Sequence, residues 1–285
     1  MEKRYIQTFE TGESLQEALD NNELGKPYVA YLEDEQRIDW NSKSVTPPPP
    51  GPDYRNMPLT FEILSGGVIN WYMQNSYGTG KTIEFSLNDG EWIEITASNF
   101  SAINVNDGDI IRFKGDNLKY GDSNSGLINK FKSNNVVFNI YGNIMSLIDS
   151  DGFATATTLQ STYTFNEMFY SCTGLTSVKN LIMPATTLTE YCYRTMFYGC
   201  TSLTTAPELP ATTKPAGSYD YMFANCTSLQ YVKCFAKNDS AVPVNSNYWL
   251  NNVSPNGTFV KHPDATWESG ASGIPTGWTV QDADI

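Results

Sequence analysis

The 285-residue sequence predicts a multi-domain, mainly β protein. Three observations carry that expectation. The octet Met-Phe-x-x-Cys-Thr-x-Leu occurs three times, starting at Met168, Met196 and Met222, with spacings of 28 and 26 residues. Such a period means an array of stacked units, each burying its apolar residues against its neighbours. Upstream, residues 59–140 are short β-rich runs broken by Gly, Asn and Asp turn signals. Four consecutive prolines at 47–50, then Gly51 and Pro52, set both parts off from an acidic N-terminal piece.

In chain order, residues 1–45 read as a small α+β module. Ser14 and Glu17 form a capping box, Leu15, Ala18 and Leu19 follow at helical spacing, and Gly25 closes the helix. Residues 28–32 and 37–40 flank the acidic run Glu33 to Gln36 as the arms of a hairpin. A piece below about 50 residues with neither disulfide nor metal needs a partner surface to complete its core, so it reads as an anchor. Tyr5, Ile6 and Phe9 are its expected docking residues, and Leu15, Leu19, Tyr28 and Trp40 are further apolar candidates. Residues 46–56 form a polyproline linker; at about 3.1 Å per residue it is a stiff spacer of about 30 Å.

Residues 57–142 are expected to form an antiparallel β-sandwich, with strands at 82–87, 91–96, 110–114 and 136–141. Asn88-Asp89-Gly90 and Asp107-Gly108-Asp109 supply its turns. Residues 143–150 would fuse it rigidly to the array. Residues 143–235 hold that array, expected to start near Leu159 and end near Phe235. An aromatic precedes each octet by three residues (Phe165, Tyr193, Tyr219), and Pro-Ala-Thr-Thr recurs at 184–187 and 210–213. Residues 236–285, rich in Trp and Gly, read as a C-terminal cap.

Charge and residue types exclude several chemistries. Eighteen basic against 31 acidic residues, a net charge of −13, and no basic cluster argue against a nucleic-acid partner. No run of 18 apolar residues suggests membrane insertion, and residues 1–10 lack the pattern of a secretory signal. Three of the five cysteines (Cys172, Cys200, Cys226) share one repeat position and read as buried packing thiols; Cys192 and Cys234 lie outside that register. His262 is the only histidine, so histidine-dependent hydrolysis and multi-histidine metal sites lack their parts. Gly78-Thr-Gly-Lys-Thr82 has Asn75 where a phosphate loop needs its first glycine, and a strand is expected after it. The carboxylates at Asp149/Asp151, Glu33/Asp34/Glu35, Asp107/Asp109 and Asp116/Asp122 read as polar turns; a calcium ion held in a turn is the alternative for the last two clusters, although they fit no EF-hand-type calcium loop. No catalytic, cofactor or metal residue is assigned. Tyr193 and Tyr219 share the slot of Phe165 and are expected inside, whereas Tyr170, Tyr191, Tyr198, Tyr221 and Tyr231 are the candidate ligand contacts.

The string at residues 196–213, Met-Phe-Tyr-Gly-Cys-Thr-Ser-Leu-Thr-Thr-Ala-Pro-Glu-Leu-Pro-Ala-Thr-Thr, resembles the BspA-like class of leucine-rich repeats. The resemblance covers about residues 141–285, and the stretch 107–115 is similar to the domain that often precedes such repeats. It implies recognition without catalysis: members are bacterial surface proteins that bind host matrix or other cells, and similar chains occur on bacteriophage particles. Because residues 1–10 carry no leader, the expectation is a phage virion structural protein at the virion surface, a head fibre or capsid decoration. Residues 1–45 would then bind phage capsid or another virion protein, and the repeats a host-surface glycan or protein, in a homotrimer without cofactor. The alternatives are a bacterial cell-surface adhesin and a phage tail fibre or receptor-binding protein.

Overall fold

The computed structural model describes residues 6–9, 29–32, 37 and 38, 52–74, 81–95, 102–122, 127–237, 244 and 246–285. The protein is mainly β, and the only helical segments among those residues are 3-10 turns at Tyr54–Asn56 and Ile144–Leu147. It divides into two compact units, Met1–Asp53 and Tyr54–Ile285.

In the first unit, β1 (Ile6–Phe9), β2 (Val29–Leu32) and β3 (Arg37–Ile38) form a sheet in that order. β2 and β3 pair antiparallel through Ala30 with Ile38 and Tyr31 with Arg37, the pairing expected for a hairpin across the acidic run of sequence between them. β1 runs parallel to β2, from Ile6 beside Val29 to Phe9 beside Leu32. A parallel pair cannot be joined by a tight turn, and 19 residues of sequence separate β1 from β2. The helix expected from Ser14, the side chains of all seven anchor candidates and linker residues 46–51 lie outside the described residues.

The second unit opens with β4 (Leu59–Ser65), β5 (Gly67–Gln74), β6 (Ile83–Leu87), β7 (Ile93–Ile95), β8 (Ala102–Val105), β9 (Ile110–Lys114), β10 (Ile128–Asn134) and β11 (Val137–Asn143). Asn88 and Asp89 both take positive φ (51° and 59°), and Gly90 N donates to Leu87 O, making the mirror-image turn whose twist suits a hairpin. β10, β5 and β8 form one antiparallel sheet. The other has the order β12-β11-β4-β9-β6-β7, in which β12 (Leu175–Ile182) comes from the repeats. Alternating apolar residues put Phe61, Phe113 and Phe138 of the larger sheet against Phe131 and Trp71 of the smaller, with Phe61 and Phe131 ring centroids 4.8 Å apart.

That aromatic core does not stop at the repeats. Phe169 of the first octet lies parallel to Phe131 at 5.6 Å, and a single hydrophobic cluster runs from Leu59 to Trp278. Beta strand β11 pairs with β12, and Ile144–Leu147 is wholly buried at the junction. Asn143 caps this turn: its side-chain oxygen accepts Met145 N, and its amide nitrogen donates to Arg55 O and Phe153 O.

Each repeat coil has two parts: a ribbon of tight turns carrying the octet, and an extended segment. Within the ribbon the backbone N–H groups divide between two uses. Those of Asn166, Met168, Tyr170 and Cys172 close turns onto the carbonyls of Tyr163, Phe165, Glu167 and Phe169; those of Phe165, Glu167, Phe169 and Ser171 reach Cys192, Arg194, Met196 and Tyr198 of the next coil. Every fourth residue is left-handed: Tyr163, Glu167 and Ser171, then Tyr191, Thr195 and Gly199, then Gly217, Tyr221 and Asn225. Coil-to-coil bonding continues beyond the expected end at Phe235, with Phe223 N donating to Trp249 O, Asn225 N to Asn251 O and Leu250 N to Ala271 O. On the extended side, β13 (Tyr231–Cys234), β14 (Thr258–Lys261) and β15 (Thr279–Asp282) pair parallel. Residues 246–285 therefore prolong the stacking. Trp249 and Leu250 stand where Met222 and Phe223 stood, so the octet is no longer recognisable there although the backbone repeats.

Candidate functional site

The hydrogen-bond register assigns the remaining ribbon residues to columns. Tyr170, Tyr198, Ala224 and Asn251 form one column; Glu167, Thr195, Tyr221 and Tyr248 a second; Ser171, Gly199, Asn225 and Asn252 a third; Tyr163, Tyr191 and Gly217 a fourth. Neighbouring coils bring equivalent side chains into contact, which the inward columns show most plainly. Phe165, Tyr193 and Tyr219 stack at 5.9 and 6.1 Å, and Phe169, Phe197 and Phe223 at 5.3 and 5.5 Å. Tyr193 and Tyr219 are buried, and burial raises both phenols well above their ordinary range.

Four of the five candidate tyrosines share the ribbon surface. Tyr170 and Tyr198 stack nearly parallel at 4.9 Å, Tyr163 and Tyr191 likewise at 4.9 Å, and Tyr221 and Tyr248 at 5.7 Å. The far face of Tyr170 is taken by Lys130, whose ammonium lies 4.4 Å from the ring centroid and 2.6 Å from Glu167 Oε2. Partial burial raises the Tyr170 phenol, and Tyr198 and Glu167 add to the shift. Tyr191 has Gly217 below it, where a Cβ would overlap the ring. Tyr231 stands apart: it lies on β13, 36% exposed, within the wall of parallel strands. Sequence reasoning named five tyrosines as ligand contacts; the register places four on the turn ribbon and the fifth on the strand wall.

The groups with the greatest chemical reactivity are held in structural roles. Cys172, Cys200 and Cys226 are buried in one column, and each thiol donates to the carbonyl of a phenylalanine on the preceding layer: Phe131 of β10 at 3.5 Å, then Phe169 at 3.2 Å and Phe197 at 3.0 Å of the coil before. Cys192 and Cys234 are buried as well, and burial pushes the thiols of Cys172, Cys192, Cys226 and Cys234 up to about 12. His262 is buried against Phe235, and its Nδ1 accepts Asp264 N. Asp109 accepts Asn106 N and the Asn88 amide, which hold its carboxyl below the usual carboxylate range. Asp107 accepts Gly66 N, Asp116 accepts Ser150 N and hydroxyl, and Asp149 accepts Gly152 N. Lys81 of the glycine-rich stretch donates its backbone N–H to Asn129, and β6 follows. Among the described residues no group of three or more His, Cys, Asp or Glu converges as a metal site.

Sequence reasoning missed Tyr163, Tyr248, Lys130, Asn225, Asn251 and Asn252 as parts of this surface. Aligning Tyr163 with Tyr191 by the 28-residue spacing could have found the first. Nothing in the sequence pairs Tyr248 with Tyr221, because the fourth coil has lost its octet. No protein-family model, no curated protein and no solved structure matches this chain.

Proposed function

We propose that this chain is a non-enzymatic structural protein of a phage virion, a head fibre or capsid decoration, that displays a leucine-rich-repeat tip for adhesion to a host-surface glycan or protein. In this reading residues 1–45 anchor it to capsid or another virion protein, residues 57–142 are a β-sandwich stalk, and the BspA-like solenoid forms the tip of a homotrimer. The observation that carries it is the ribbon surface, where stacking sets outward tyrosines and asparagines side by side over several coils. Such a surface suits weak contacts multiplied by many copies on a particle. The engagement of thiols, histidine and carboxylates in packing and turn hydrogen bonds supports a binding role over a catalytic one.

The test is a pull-down with the full chain and with a chain starting at Tyr54, each offered purified capsid proteins, purified tail proteins and bacterial cells. The expected result is virion binding by the full chain alone and cell binding by both. Virion binding that survives the deletion overturns the anchor, tail binding in place of capsid favours the tail-fibre reading, and cell binding with no virion partner favours the bacterial adhesin.

A further inference from the structure

We infer that the ribbon surface beside Tyr198 is a binding site for a neutral glycan, an inference that rests on the recognition reading above. Tyr198 gives one ring face to Tyr170. On the other side its column continues with Ala224, a single buried methyl, so no ring among the described residues covers that face.

Around this step the coils supply amides. Asn251, exposed, follows Ala224 in the same column, and its side chain makes no hydrogen bond among the described residues. Asn252 Nδ2 donates to Asn225 Oδ1 at 2.9 Å, which leaves the Asn225 amide nitrogen and the Asn252 amide oxygen for a ligand. Tyr248, 52% exposed, stacks on Tyr221 and adds a second aromatic surface. An aromatic face beside unpaired amides recognises a pyranose: axial C–H groups pack on the ring while donor and acceptor pairs meet neighbouring hydroxyls. Hydrogen-bonded neighbours lie about 4.8 Å apart, so Tyr198 and Asn251, two coils apart, span about 10 Å, room for one or two sugar rings.

Charge selects the ligand further. Tyr198, Tyr248, Asn225, Asn251 and Asn252 include neither a carboxylate nor an ammonium, and the net charge of −13 repels sialylated, sulfated or phosphorylated glycans. The Lys130 ammonium is occupied by Glu167 and Tyr170.

The experiment presents the full chain to a printed array of neutral and acidic oligosaccharides and, in parallel, to bacterial cells before and after protease treatment. Neutral glycans are expected to bind, and Tyr198→Ala and Asn251→Asp to weaken binding at least tenfold while Tyr231→Ala, on the other wall, leaves it unchanged. Asn251→Asp touches no packed side chain, so its effect does not depend on how Tyr198→Ala folds. Selective binding of acidic glycans, or loss with Tyr231→Ala alone, overturns the site. Protease-sensitive cell binding without glycan binding also overturns it but leaves the recognition reading standing; failure to bind either glycans or cells overturns both.

Discussion

Alkaline pH acts on the five buried thiols, all of which lie between Cys172 and Cys234. In the fold four of them are pushed from an ordinary 9.0 up to about 12, and Cys200 shifts in the same direction. The neutral thiol is the form the fold favours, so this contribution is complete below about pH 9 and is lost as the pH rises towards 12. At about pH 10 an unfolded thiol that ionises near 9 gains on the order of 1 kcal/mol over its folded counterpart, and four together about 5 kcal/mol. That is comparable with the whole stability of a typical domain, about 5–15 kcal/mol. Urea unfolding followed by circular dichroism under reducing conditions is therefore expected to show a large fall in midpoint between about pH 8 and pH 10. At about pH 8 the native thiolate fraction is about a thousandfold below that of the unfolded chain, so an aromatic disulfide reagent is expected to titrate five thiols only after denaturant is added. Equal stability at the two pH values, or prompt labelling of the native chain, would refute the buried thiol column.

Gly217→Ala is expected to destabilise by about 2–3 kcal/mol, because its φ of +65° is left-handed and the new methyl displaces the Tyr191 ring from Tyr163; urea unfolding measures it. Thr195→Asn is expected to raise stability by about 0.5–1 kcal/mol in the same assay, since Thr195 holds a φ of +53° that a β-branched residue resists and asparagine tolerates. A chain starting at Tyr54 is expected to keep the unfolding midpoint of the larger unit, because its core runs unbroken from Leu59 to Trp278. A chain starting at Met57 is expected to melt earlier, having lost the Tyr54 contact with Tyr141 and the Arg55 carbonyl that accepts Asn143.

Local patterns were legible in the sequence where local physics decides them. The Asn88-Asp89-Gly90 turn, strands β6, β7, β9 and β11, the β2–β3 hairpin and the inward place of Tyr193 and Tyr219 follow from turn chemistry and periodicity within a few residues. The octet likewise marked its phenylalanines and cysteines as inward, since a repeated apolar position must meet its copies.

Where the array ends could not be read this way: Trp249 and Leu250 continue the backbone ladder with different side chains, and peptide hydrogen bonds carry no sequence mark. The surface was equally hidden. Whether a tyrosine presents a face, an edge or nothing depends on its neighbour along the stack: Lys130 of β10 over Tyr170, Gly217 under Tyr191, Ala224 beyond Tyr198. The sequence by itself determined a mainly β chain with a repeating interior, because burial acts on each unit separately. Only the tertiary structure decided which tyrosines share a wall and which ring carries no second ring, because those contacts join residues 26 to 40 positions apart through a register that no single repeat contains.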